Sequence, residues 1–513
     1  MRRELLVVFV AAVLLYVPTA WYGYVQDDRA IIVSNPAAHS VGVALGAFDD
    51  PYWPPESGAG LYRPVTILAF AIDWTLSGGR AGWLHLINAL WHGVVTVLFA
   101  LVLRRWLPTL AAAGAGLVFA WHPVHVEAVA NIVGRAELLA AAGILGAVLA
   151  ARRGWWLGAV LCAAIAMLSK EHGVIAGVVI LIDRWLQAPD AKRYPPTLWL
   201  SLGIVTLGYL IAWWKIGVAG ASAPAAVFYG RDTIARLAVA LPAVFRAMLL
   251  LFLPLSLSSD YSPRVIPAYN GISLAAVLGF LVVVAVPVVV ISCRRRAPAI
   301  SFSVAVAALS FLPTSNLLFA GGIVLAERNL YLAVAVPAAL LGTVMAALMQ
   351  SRDTAPGARP AVVVGSLVAV VLAAVTLLRI PSWRDNRTQL LTLLAEHPES
   401  YIGHASAAAV LAGAGDTAGA REQYRIADSL FSGDPYLDAA RAIFLVTVGD
   451  TAGARPLVAR ASAHPEPAAR RMALRAQFLV DLHRGDAMAA RAIADSARRS
   501  FPGDEPWYRA YLQ

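Results

Sequence analysis

Long apolar runs recur from the N-terminus to about residue 380 and then stop. A helix needs roughly 17–25 apolar residues to cross a bilayer. Runs of that order stand at 4–22, 83–103, 107–121, 136–151, 155–169, 173–187, 197–215, 272–293, 299–317, 330–349 and 361–380. Several are short, which suits helices bordering a cavity or a thinned region. The stretch 233–253 is apolar too, but it holds Arg236, Pro242 and Arg246, and a charge held in lipid is costly. Beyond 380 the pattern becomes that of ordinary soluble helix. The chain therefore predicts an all-α protein of two domains, a polytopic membrane domain over 1–380 and a water-facing helical domain over 381–513.

Charge placement gives the membrane domain an orientation. Arg2-Arg3, Arg104-Arg105, Arg152-Arg153, Lys192-Arg193 and Arg294-Arg295-Arg296 cluster at the ends of apolar runs, the positive-inside pattern. With 233–253 read as a re-entrant or interfacial helix, all of them fall on the cytoplasmic side and about eleven spans result. Counting it as a span would put Arg294–Arg296 outside. The loops 23–82, 122–135, 216–271 and 318–329, with the C-terminal domain, then face the other side. That distribution accounts for the net charge of +10 and argues against nucleic acid as a partner. Hydrophobic residues at 59% and charged residues at 14% exclude a soluble fold. The first run ends at Trp21, Tyr22 and Tyr24 rather than at a small-residue cleavage site, so it reads as an uncleaved span. Cys162 and Cys293 sit at different depths and build neither a disulfide framework nor a zinc site.

The tail repeats. Gly415-Asp416-Thr417-Ala418-Gly419-Ala420 returns as Gly449-Asp450-Thr451-Ala452-Gly453-Ala454, at the 34-residue tetratricopeptide period. A degenerate copy begins at Gly485-Asp486. Each Gly-Asp pair fits a turn in which Gly ends one helix and Asp caps the next. The domain thus reads as a short tetratricopeptide-like α-solenoid that either captures an extended polypeptide or serves as a cap or docking surface.

Polar residues in the outer loops are the informative ones. Asp27 and Asp28 are adjacent acids, and mutual repulsion suits one of them to act as a base; the alternative is a hydrated loop start. His122, His125 and Glu127 form a candidate divalent-metal set, or phosphate donors, or a hydrogen-bonded helix end; Asn131, Arg135 and Glu137 follow them. Lys170 beside Glu171 reads as a cation for a lipid phosphate or as an interfacial ion pair. Arg328 could clamp a phosphate or tie to Glu327, and Arg63 adds a cation in the first large loop. Acids and cations on the outer face suggest an outward-facing polar cavity.

These segments resemble the transmembrane-and-tetratricopeptide-containing (TMTC) protein O-mannosyltransferases, which are GT-C membrane glycosyltransferases. The resemblance runs through Gln26-Asp27-Asp28 with Ile31 and Asn35, then Leu61-Tyr62-Arg63-Pro64-Val65-Thr66. Its most specific stretch is His122-Pro123-Val124-His125-Val126-Glu127 with Gly134-Arg135-Ala136-Glu137. Leu168-Ser169-Lys170-Glu171, Asp260-Tyr261-Ser262, Ser315-Asn316-Leu317 and Leu325-Ala326-Glu327-Arg328-Asn329-Leu330-Tyr331-Leu332 continue it in order. It implies a GT-C-like membrane domain and a polyprenyl-phosphate-linked sugar, mannose, as donor. It also implies inverting transfer to a Ser or Thr hydroxyl of an acceptor polypeptide on the non-cytoplasmic face. Asp27 or Asp28 would be the base, Asp27 by preference. Arg63, His122, His125, Arg135, Lys170 and Arg328 would meet the donor phosphate, with Glu127, Glu137, Glu171 and Glu327 in support and a divalent metal left open.

The repeat array is much shorter than that of the animal enzymes, so their acceptor specificity does not carry over. The Ala-, Gly- and Arg-rich composition suits a bacterial plasma membrane, with the endoplasmic reticulum as the alternative. Two other classes compete: a non-catalytic scaffold whose repeats recruit partners for envelope assembly, and a lipid flippase or transporter. The scaffold would tolerate loss of Asp27, Asp28 and His125, and the transporter would need polar residues along a through-path.

Overall fold

The computed structural model describes residues 2–54, 60–187, 194–217, 224–267, 271–350, 358–464, 467–501 and 504–512. Among these, apart from one isolated bridge between Pro263 and Ile266, regular structure is helical. The N-terminal part comprises α1 (Arg2–Tyr16), the short α2 (Val41–Gly46), α3 (Pro64–Ser77), α4 (Ala81–Leu103), α5 (Thr109–Ala120), the short α6 (Val126–Ala130), α7 (Arg135–Arg152), α8 (Trp156–Ser169) and α9 (Ala176–Trp185). It continues through α10 (Pro196–Ala212), α11 (Thr233–Phe252), α12 (Leu274–Cys293), α13 (Pro298–Phe311), α14 (Ala335–Gln350) and α15 (Ala358–Arg379). Most of their apolar faces build one large core that also takes in Ile380 and Trp383, while α2 and α3 pack with the first loop in a separate cluster around Ile32 and Phe70. The outward faces of α10, α12 and α15 stay apolar and exposed, as at Leu200, Val288 and Val370. That is the inverse of a soluble protein and suits contact with lipid tails.

The bundle has two chemically different ends. At one, Arg152 donates to both oxygens of the buried Asp183 and to the Val102 carbonyl, the latter at 2.7 Å. Arg294 donates to the Trp185 carbonyl and lies 4.1 Å over that indole ring. The basic pair Lys192-Arg193 lies outside the described residues. At the other end meet the loops after α1, α5, α10, α11 and α13.

Eight helices among the described residues are long and apolar enough to cross a bilayer, or up to nine if the bent pair Thr109–Ala120 and Pro123–Ala130 is one span. The expected spans at 155–169, 173–187 and 299–317 form shorter helices: α8 with 14 residues, α9 with 10 and α13 with 14. Helix α11 is one of the eight by length and composition, yet both of its ends reach the loop end of the bundle. Arg236 near its start donates to the Asn316 carbonyl, and the Leu251 carbonyl near its finish meets His122. Pro242 stands within the helix, and the two ties draw both of its ends toward that side. It crosses α12 so closely that a Cβ on Gly279 would stand 1.9 Å from the Leu241 carbonyl oxygen, so only glycine fits there. Arg236 and Arg246 are thereby met by loop carbonyls rather than lipid.

After the turn Ile380–Trp383 come α16 (Asn386–Glu396), α17 (Tyr401–Gly413), α18 (Thr417–Leu430), α19 (Pro435–Thr447), α20 (Thr451–Ala463), α21 (Pro467–His483), α22 (Ala487–Ser500) and α23 (Glu505–Leu512). Helices α17–α18, α19–α20 and α21–α22 are hairpins with a shared core of their own around Tyr424, Phe444 and Phe478. Each Gly-Asp pair forms the turn that its sequence dictates. Gly415, Gly449 and Gly485 have φ of 83°, 84° and 76°, where a side chain is strained. Asp416, Asp450 and Asp486 each accept a bond from the backbone N–H three residues on.

The array is seated on the membrane domain through the loop after α11. Ser400 donates to Asp260, Gln389 to Ser259, and Arg264 to the Leu430 carbonyl.

Gly449→Ala and Asp450→Ala should each destabilise the array by about 1 kcal/mol. Gly413→Ala, in open space within a helix end, should be neutral or mildly stabilising. Thermal unfolding of the three variants checks this; equal midpoints would show that the turns do not limit the array.

Candidate active site

A cavity of about 830 Å³ opens where the loops of the membrane domain face the array. Its membrane-side wall carries Asp27, Arg63, Glu137, Lys170, Glu171 and Arg328; its far wall carries Tyr401, Asp434, Tyr436, Arg471 and Arg475.

The two adjacent acids after α1 take opposite roles. Asp28 is fully buried, and its carboxylate accepts from Val25 N–H at 3.0 Å and Val133 N–H at 2.9 Å. Burial pushes its pKa up to about 7 against those bonds. It therefore stitches the first loop to the segment before α7. With Asp28 turned inward, Asp27 is left half-buried and facing the cavity.

Three cations stand in the same wall, and each is held by a carboxylate from a distant part of the chain. Arg63, the residue before the Pro64 that opens α3, grips Glu171 through Nε at 2.9 Å and Nη2 at 2.7 Å, with its guanidinium 4.9 Å over the Tyr52 ring. Burial alone would lower the Arg63 pKa, but Glu171 more than reverses this; burial would raise Glu171, yet Arg63 holds it below the usual range. Lys170 bonds to Glu137 and reaches Asn329 Oδ1 at 3.3 Å; burial leaves its pKa lowered despite that carboxylate. Arg328 uses both its backbone N–H and its Nη1 on Glu127, each at 2.9 Å, and Glu127 outweighs burial to keep it charged. The expected pairings between chain neighbours, Lys170 with Glu171 and Arg328 with Glu327, are thus exchanged for long-range ones. Neighbouring side chains point apart, and each cation finds its acid in another segment of the chain. Arginine has five donors, so Arg63 keeps its Nη1 edge and Arg328 its remaining N–H groups after these pairs form.

The other expected phosphate ligands do not face this cavity. His122 is fixed at the N-cap of the turn Pro123–His125, its Nε2 3.1 Å from the Leu251 carbonyl. His125 is fully buried, with Nε2 3.0 Å from the Tyr331 carbonyl and its ring among Phe119, His92 and Tyr331. Arg135 is buried with Asp73 at 2.7 Å, the Asn88 side chain and the Leu84 carbonyl. The reason is common to all three: these polar groups occur where short helices break, and they satisfy broken backbone or a buried partner instead of solvent. The set His122, His125 and Glu127 is not assembled for a metal either, since Glu127 is taken by Arg328. Among the described residues no group of three or more His, Cys, Asp or Glu is placed to hold a metal ion. Glu327 lies behind the wall, fully buried, accepting from Tyr261 Oη at 2.8 Å and Ser258 N–H at 2.6 Å. Burial raises its pKa to about 7.

Several residues escaped the sequence reading. Asp73 sits in an apolar helix, where only its charge marked it. Tyr52 and the far-wall residues Tyr401, Asp434, Tyr436, Arg471 and Arg475 have no local motif. On that wall Tyr401 Oη donates to Asp434 at 2.9 Å, and Arg471 and Arg475 share Asp504.

No protein-family model matches the chain. Among curated proteins it is similar to protein O-mannosyl-transferase F38B6.6 of Caenorhabditis elegans, at 27% identity over 64% of this chain and 49% of that protein. It is similar also to Tmtc3 of Drosophila melanogaster, at 28% identity over 64% and 44%, and to TMTC4 of Mus musculus, at 28% over 78% and 63%. The chain is thus a sequence relative of the TMTC-type protein O-mannosyl-transferases, and it spans about half the length of the first of these relatives. Among solved structures, ArnT from Cupriavidus metallidurans bound to undecaprenyl phosphate covers 98% of this chain and 78% of its own, at 15% identity and a TM-score of 0.39. A likeness that loose carries nothing further.

Asp28 and Glu327 both titrate higher when folded than unfolded, so the folded state keeps their protons to higher pH. Their contribution is fully present below the unfolded values near 4 and is lost as pH rises towards 7. Glu327→Gln keeps an oxygen for Ser258 and Tyr261 and cannot ionise. The thermal midpoint in detergent should fall from pH 5 to pH 8, with on the order of 2 kcal/mol of that loss removed in the variant. An unchanged slope would show that Glu327 does not carry it.

Proposed function

We propose that this chain is a membrane glycosyltransferase that moves mannose from a polyprenyl-phosphate donor to a Ser or Thr hydroxyl of a polypeptide, with inversion. The sequence relatives bear the name of protein O-mannosyl-transferases, which supports the reaction class. The observation that carries the residue assignment lies in the cavity. Of the acids that line it, Glu137 and Glu171 are paired with cations and Asp260 and Asp434 accept hydrogen bonds from hydroxyls, whereas the Asp27 carboxylate forms neither kind of contact with the described residues.

Asp27 is the base in this reading. It takes the proton of the acceptor hydroxyl as that oxygen attacks the anomeric carbon from the face opposite the phosphate. The bond from the anomeric carbon to the phosphate oxygen breaks, and its electron pair stays on the phosphate. A single displacement inverts the anomeric configuration. A lipid phosphate is a good leaving group whose growing charge needs cations already in place. Arg63, Lys170 and Arg328 fill that role, with Glu171, Glu137 and Glu127 fixing them beforehand. Residues 1–380 form the catalytic domain and 381–513 the tetratricopeptide-like array, whose wall receives the acceptor. The site faces the non-cytoplasmic side, and a bacterial plasma membrane suits the composition.

With polyprenyl-phosphate-linked radiolabelled mannose and a panel of acceptor proteins, Asp27→Asn should lower transfer by about 10²- to 10⁴-fold while donor binding persists. Asp28→Asn should act chiefly on stability. Arg328→Gln should weaken donor binding. Transfer by Asp27→Asn at the wild-type rate would remove Asp27 as the base.

A further inference from the structure

Gln26, the residue before Asp27, has φ of 48°, a left-handed backbone that non-glycine residues adopt only when something holds them there. What holds it comes from the far end of the chain. Its backbone N–H donates to the side-chain Oδ1 of Asn386 at 2.7 Å, and three residues earlier Gly23 N–H donates to the Arg384 carbonyl at 3.1 Å. Asn386 is the first residue of α16, the opening helix of the array. The segment that presents it is itself fixed. Ile380 and Trp383 are buried in the membrane-domain core, and Asp385 caps α16 by accepting from Thr388 N–H at 2.8 Å. On the opposite side the Gly23 carbonyl lies 3.1 Å from His85 Nε2 of α4. Asp28 anchors the far side of Asp27 through Val25 and Val133. Asp27 thus sits between one anchor supplied by the membrane domain and one supplied by the array.

We infer that Asn386 is a positioning residue for Asp27: through Gln26 the first helix of the array sets the conformation of the loop that presents the base. The role assigned to Asp27 rests on the transferase reading above; the clasp itself does not. Without Asn386, Gln26 loses the bond that offsets its left-handed backbone and relaxes toward ordinary dihedrals. Asp27 then leaves its direction toward the cavity, while Arg63, Lys170 and Arg328, on other loops, are untouched.

Asn386 is exposed, so Asn386→Ala should fold. The full-length protein in detergent would be compared with Asn386→Ala and with Asn386→Asp, which keeps a side-chain oxygen at the same place. Backbone hydrogen exchange in the peptide covering 22–29 should be faster in Asn386→Ala and near wild type in Asn386→Asp. In the mannosyl-transfer assay kcat should fall about tenfold in Asn386→Ala. KM for the lipid-linked donor should stay unchanged, and Asn386→Asp should recover most of the rate. Unchanged exchange in Asn386→Ala overturns the clasp whatever the activity. Faster exchange with wild-type kcat, or with kcat and donor KM shifted together, overturns the positioning role. Faster exchange in Asn386→Ala beside a wild-type protein inert toward every acceptor overturns the transferase reading and leaves the clasp supported.

Discussion

A cation withdrawn from water at the edge of a bilayer persists only where a carboxylate meets it. Arg63, Lys170 and Arg328 are all in that position, and Glu171, Glu137 and Glu127 answer them. Because the two members of each pair lie on different segments, the pairs also tie the fold together. The first loop is joined to the turn after α8, α7 to the same place, and α6 to the turn before α14. The deeper pair Arg135–Asp73 does the same for α7 and α3. Geometry that keeps the charges tolerable also brings the three cations to one cavity wall, the place proposed above for the donor phosphate.

The array takes part in this arrangement rather than hanging from it. Its seat is the loop carrying Ser259, Asp260 and Arg264, and the next residue after Asp260 is Tyr261, which bonds to Glu327 beside Arg328. Docking of the array, order in that loop and the backing of a cavity cation are therefore contiguous. A chain assembled from two separable halves would not need such contacts.

Hydrophobic pattern made the all-helical membrane architecture legible, because lipid permits little else. Charge parity set 233–253 apart, and α11 is long and apolar enough to cross a bilayer while residues near both its ends bond to loops of one side. The Gly-Asp hexapeptide was legible because φ near +80° and an N-cap each demand a particular residue. Among the polar residues, type and loop marked Arg63, Lys170, Arg328 and Asp27, but sequence spacing misled about their partners. Spacing also brought His122, His125 and Arg135 forward as ligands when broken helix ends and a buried aspartate claim them. Whether a polar side chain serves a ligand or an orphaned carbonyl depends on contacts 33 to 206 residues away, and no local pattern encodes those.

The far wall of the cavity comes from the leading helix of successive hairpins: Tyr401 on α17, Tyr436 on α19, Arg471 and Arg475 on α21. The trailing helices α18, α20 and α22 supply none of these residues. Because the hairpins share one turn geometry, duplication of a single genetic unit would lengthen that wall by one increment and leave the loops around Asp27 as they are. The length of that wall and the loops opposite it can then vary independently, like a ruler whose graduations evolution is free to multiply.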